Sequence, residues 1–106
     1  MTPLAKVVPG VRLKGLQPEM AIVLDVVPEV FGRFGYDCWV TSAVRPQSSG
    51  LHRLGLALDF DSSTNVPESV GQQIATRVSS YLGDGFDCLW HGPKWHLHVE
   101  YDPKDG

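Results

Sequence analysis

His52-Arg53-Leu54-Gly55-Leu56-Ala57-Leu58-Asp59-Phe60-Asp61 is the stretch on which the fold of this chain turns. From Leu56 onward it alternates. Leu56, Leu58 and Phe60 fall on one face of a strand and Ala57, Asp59 and Asp61 on the other, since successive side chains of an extended chain point to opposite sides. Asp59 is therefore expected to point away from the apolar side. Gly55 lets the chain turn from the His52 loop into the strand, and Ala57, on the Asp59 face, keeps the space beside the carboxylate open.

Further along, Gly83-Asp84-Gly85 makes a turn, and Phe86 to Trp90 and Trp95 to Tyr101 read as a hairpin joined around Gly92-Pro93. In its second strand His96, His98 and Glu100 share one face and Leu97, Val99 and Tyr101 the other. Between the two strand regions, Asn65-Val66-Pro67-Glu68 has the form of a capping box with proline in the first turn. Val70, Ile74, Val78, Tyr81 and Leu82 then share a helical face that ends at Gly83.

Upstream, Arg45 to Leu51 is a loop and Cys38-Trp39-Val40-Thr41-Ser42 a buried strand. Met20, Val23, Leu24, Val27, Val30, Phe31 and Phe34 have helical spacing over residues 18 to 34, with Pro18 in the first turn. Pro28 in a helix interior would cost about 3 kcal/mol, so a break near Asp25, which can cap a new helix, is expected. Residues 1–14, rich in Pro, Gly and Val, read as an irregular arm, and residues 15–106 as one domain. This order predicts an α+β fold, a largely antiparallel sheet with two or three helices packed on one side.

A chain of 106 residues buries one core without staples. A net charge of −3 offers no general attraction for phosphate backbones or anionic lipid, and no apolar run approaches a membrane span. Nucleic acid and membrane are disfavoured partners, and a monomer is expected. Without a charged leader followed by an apolar stretch, the product is expected to stay in the cytosol that makes it. Cys38 and Cys88 are then expected to be reduced and buried rather than bridged or zinc-bound. Trp39, Trp90 and Trp95 could line a groove, but at least two are expected in the core.

Imidazoles and a carboxylate converge in this pattern. His52, Asp59 and one of His96 or His98 are ligands that zinc accepts at about 2.0–2.2 Å. Three protein ligands leave a fourth position for water, the arrangement of a hydrolytic rather than a structural zinc site. Asp61 faces the same way, as a partner to a ligand histidine or as an exposed strand-end group.

With these motifs in place, the chain resembles the zinc peptidases of bacterial cell-wall metabolism: D-Ala-D-Ala carboxypeptidases, vancomycin-resistance dipeptidases and phage L-Ala-D-Glu endolysins. The family's Ser-x-His-x-x-Gly-x-Ala-x-Asp stretch matches His52, Gly55, Ala57 and Asp59, with Gly50 where serine is preferred. Its late histidine segment matches Trp95-His96-Leu97-His98, and its arginine after a Thr-Ser strand matches Arg45 after Thr41-Ser42. Gly15-Leu16-Gln17-Pro18-Glu19-Met20 is similar to the opening of the first helix in small phage members, so the resemblance runs from Gly15 to Pro103.

The resemblance implies a hedgehog-like peptidase fold with the metal on the sheet, and Zn2+ held by His52, Asp59 and His98. It implies hydrolysis of a peptidoglycan stem peptide by a phage lysis or virion enzyme that acts on the wall from the host cytoplasm or the particle. Arg45 would steady the oxyanion or hold a substrate carboxylate. Where relatives carry a catalytic Glu or His three residues before the histidine pair, this chain has Pro93. A two-residue insertion would give the place to His91, with His96 or Glu100 as the other candidates for proton transfer. The missing glutamate also admits a non-catalytic, zinc-retaining binder of a cell-wall peptide or partner protein. A His-hydrophobic-His endonuclease using Tyr81 is the remote alternative; it leaves His52 and Asp59 without a role and would call for a basic face.

Overall fold

Leu58 and Phe60 stand opposite Val99 and Leu97 of the neighbouring strand, which in turn stand opposite Cys88 and Trp90 of the strand beyond, so one apolar face runs across three strands. The computed structural model describes residues 5–45, 50–91 and 96–103. In chain order the elements are β1 (Lys6–Val7), α1 (Ala21–Arg33), β2 (Trp39–Ser42), β3 (Ala57–Asp61), α2 (Glu68–Leu82), β4 (Phe86–His91) and β5 (His96–Tyr101), with a 3-10 turn at Pro18–Met20 leading into α1. Among the described residues the five strands form one mixed sheet in the order β1-β2-β3-β5-β4. β1 runs parallel to β2, and every other pairing is antiparallel. Both helices cover the apolar face: Val23, Val27, Val30 and Phe31 of α1 and Ile74, Ala75 and Val78 of α2 join Val40, Leu58, Phe60, Leu97 and Val99 in one core. The opposite face carries Asp59 and His98, and no helix among the described residues is long and apolar enough to cross a membrane.

Several expectations are corrected. The arm before residue 15 is not wholly irregular, because Lys6 and Val7 pair with Trp39 and Val40. No break occurs near Asp25: α1 is continuous through Pro28. Splitting it would divide the stripe of Val23, Val27, Val30 and Phe31, each fully buried, whose burial at about 1.5–3 kcal/mol per side chain outweighs the bond that proline cannot donate. Asn65 does not cap α2. Pro67 precedes the first helical residue, no side chain caps this end, and the Gly71 N–H reaches the Pro67 carbonyl at 2.9 Å.

Tyr81 leaves the buried stripe of α2. It is about half exposed, and its hydroxyl accepts a 3.0 Å hydrogen bond from Arg33. Of the tryptophans, Trp90 is buried, whereas Trp39 is only half-buried, stacks under the Lys6 ammonium and donates to Asp37. Trp95 and the Gly92-Pro93 turn lie outside the described residues. Cys38 and Cys88 are unbridged; Cys38 is buried and Cys88 partly so, and burial pushes the Cys88 thiol up to about 11.

Candidate metal centre

The register of β3 against β5 places Asp59 directly opposite His98, with Leu89 of β4 on the far side of His98. Asp59 is buried, with 9% of its surface exposed, although it lies on the face away from the helices. The loop before β3 covers it. That loop is held by hydrogen bonds from Arg45 N–H to the His52 carbonyl at 3.2 Å and from Leu56 N–H to the Leu51 carbonyl at 2.9 Å. It turns into the strand at Gly55, whose φ of +75° favours glycine.

This loop carries His52 into the space above Asp59. The His52 Nδ1–H donates to the Ala43 carbonyl at 2.7 Å, which fixes the tautomer, because a carbonyl can only accept. Nε2 is then the bare nitrogen. It is buried, makes no hydrogen bond, and faces Asp59 Oδ2 at 3.3 Å. Two lone-pair-bearing atoms aimed at each other in a buried place repel unless a cation lies between them, so this nitrogen is the observation that fits the residues to a metal ion.

The third member is His98. Its Nδ1–H donates to Asp59 Oδ1 at 2.6 Å and its Nε2–H to Glu100 Oε1 at 2.7 Å. The Asp59 hydrogen bond is the main reason its pKa lies above the ordinary imidazole value; partial burial opposes this and Glu100 adds to it. Burial alone would raise the Asp59 carboxyl, yet the group stays ionised, below the usual carboxylate range, and the His98 N–H is a donor that holds it there. The ligand atoms of His52, Asp59 and His98 all lie within 4.8 Å of one another. They form a candidate metal-binding group.

The other expected residues gather around this group. His96 Nε2 lies 3.8 Å from Asp59 Oδ1. His91 is paired with His96 across the β4–β5 hairpin, their rings 4.5 Å apart, and stands 5.7 Å from the His98 ring. Arg45, His52, Asp59, His91, His96, His98, Glu100 and Leu89 line one cavity of about 470 Å³. Asp61 is not part of that lining; its carboxyl is raised by burial and accepts from the Ser62 N–H. Tyr81 belongs to the helix layer, on the other side of the sheet from the histidines.

One residue and one contact were missed in the sequence. Leu89, about half exposed, supplies an apolar wall beside the imidazoles, a position that the alternation of β4 could have revealed. Glu100, expected on the histidine face and as a candidate for proton transfer, bonds His98 directly, a contact that its spacing of two residues on the same strand could have suggested.

No protein-family model, curated protein or solved structure matches the chain.

Proposed function

We propose that this protein is a zinc-dependent peptidase of hedgehog-like fold that hydrolyses an amide bond in peptidoglycan stem peptides, of D-Ala-D-Ala carboxypeptidase or L-Ala-D-Glu endopeptidase type, and that it serves as a phage lysis or virion enzyme. The observation that carries the metal part of this reading is the unpartnered, buried Nε2 of His52 facing Asp59 within reach of His98. The likeness of the His52–Asp59 and Trp95–His98 stretches to the wall peptidases carries the choice of substrate.

A zinc ion at this group would acidify a water molecule and polarise the scissile carbonyl. The chain's own residues supply the rest. Arg45, at the cavity wall, holds the oxygen on which negative charge develops, or a substrate carboxylate. His91 and His96 stand side by side at the same wall, where one imidazole takes a proton and the other delivers one to the leaving amine. Leu89 meets an aliphatic part of the substrate and keeps bulk water from that side.

Mass spectrometry of fragments released from defined muropeptides, with and without chelator, tests the proposal. Chelator-sensitive cleavage at one stem-peptide bond, abolished in His52→Ala and Asp59→Ala, is expected. Absence of cleavage from every muropeptide, or full zinc content in the Asp59→Ala protein, would overturn it. A second reading is favoured by Pro93 standing where relatives carry a catalytic acid or base: a zinc-retaining binder, for which muropeptides bind but no fragment appears.

A further inference from the structure

We infer that Glu100 is a positioning residue of the metal centre: by accepting the His98 Nε2–H it commits the opposite nitrogen, Nδ1, to the metal. The inference rests on the zinc-site reading above and assigns atoms within it.

Both His98 nitrogens lie within hydrogen-bond distance of a carboxylate, Nδ1 of Asp59 and Nε2 of Glu100. A metal ion needs a bare nitrogen, and one of these bonds has to give way. The two are not equivalent. Asp59 faces His52 with its other oxygen and belongs to the ligand group, so the Nδ1 side of His98 looks into the space shared by all three residues. Glu100 is not a member of that ligand group and bonds the ring through Nε2. In the neutral ring with its proton on Nε2 and donated to Glu100, the Nδ1 lone pair is aimed at Asp59.

The result parallels His52, where a backbone carbonyl holds Nδ1–H and leaves Nε2 bare. One histidine is oriented by Ala43 and the other by Glu100, and the bare nitrogens are of opposite kind. A carboxylate partner also raises the basicity of the ring it holds, strengthening the ligand. Asp87 and Asp102 stand close to Glu100, and their like charge favours its contact with a hydrogen-bond donor over exposure to more negative charge.

The test uses the full chain with zinc alone. Zinc affinity is measured by chelator competition for the parent, Glu100→Ala and Glu100→Gln, and the ring-nitrogen NMR signals of His98 are read in the zinc-loaded parent. Glu100→Ala is expected to weaken zinc by ~10–100-fold, whereas Glu100→Gln, whose amide oxygen still accepts the Nε2–H, recovers most of the affinity. The NMR signals are expected to show Nδ1 metal-bound and Nε2 protonated. Equal affinity in Glu100→Ala, or metal on Nε2, overturns the role of Glu100 and leaves the zinc site standing. A parent protein that takes up no zinc overturns both, which separates the two failures.

Discussion

Gly55 and Gly15 touch backbone to backbone: a Cβ built on Gly55 would lie 2.1 Å from the Gly15 carbonyl oxygen. The contact is reinforced by hydrogen bonds from the Gln17 N–H to the Gly55 carbonyl at 2.9 Å and from the Gln17 side chain to the Leu54 carbonyl at 3.2 Å. The segment leading to α1 thus clamps the loop that presents His52. Gly55→Ala must displace one backbone or the other and also strains a positive φ, a combined cost of about 1–3 kcal/mol or more. Urea unfolding should register that loss, and zinc titration should show weakened binding because His52 is carried off its position. Unchanged zinc affinity in a destabilised variant would detach the clamp from the site.

Zinc is expected to stabilise the fold through three residues and not a fourth. At a free concentration near 100 times Kd it adds about 2.7 kcal/mol to the parent. His52→Ala, Asp59→Ala and His98→Ala should lose this gain, while His96→Ala, which removes a ring outside the ligand group, should keep most of it. Thermal shift with and without zinc separates the four.

Zinc affinity should fall with acid. The His98 proton on Nδ1 is held more tightly than in a free imidazole, first because of Asp59, and the metal has to displace it. Below the raised pKa each pH unit costs about tenfold in affinity, and above it the dependence flattens. Metal-free stability moves the other way: the His98 contribution is complete below the unfolded value of about 6.5 and disappears as pH rises through the higher folded value. Zinc titrations and urea melts between about pH 6 and about pH 8 should slope in opposite senses.

Gly71 allows α2 to lie against Trp90. A Cβ at this position would fall 2.1–2.4 Å from the indole, which is buried. Gly71→Ala should therefore destabilise the protein by about 1–3 kcal/mol, although alanine favours a helix by up to about 1 kcal/mol over glycine. Denaturant unfolding gives the sign directly.

Asp37 ties the start of β2 to the end of β3. Its carboxylate accepts from Ser62 Oγ at 2.5 Å, Ser63 Oγ at 2.6 Å, the Ser63 N–H at 2.9 Å and Trp39 Nε1 at 3.0 Å. These bonds, Ser62 foremost, hold its pKa below the usual carboxylate range. A depressed folded pKa contributes stability that is complete above the unfolded value of about 3.9 and is lost as pH falls through the folded one. Asp37→Asn should be less stable than the parent near neutrality, with the difference closing in strong acid.

The reach of the sequence is clearest where a contact is local. Two-residue alternation put Leu58 and Phe60 on one side of β3 and Asp59 on the other, and did the same for Leu97 and Val99 against His98 and Glu100. The placement of the ligand candidates opposite the core followed without any partner strand. Helix boundaries at proline were less legible. Local propensity argued for a break before Pro28 and a cap at Asn65, but burial of the α1 stripe and the fit of Gly71 to Trp90 are properties of packing.

What the chain alone determined is the chemistry of its donors and the face on which each strand presents them, because side-chain direction along a strand is set by neighbouring peptide units. The tertiary structure decided which histidine completes the group. Only the register of β3 on β5 sets His98, and not His96, opposite Asp59. It also decided which nitrogen of His52 is bare, since the Ala43 carbonyl, just past β2, engages the other. Pairing register and hydrogen-bond partners of that kind arise between segments distant in the chain, where the free energy of closing loops and filling one shared core settles the choice.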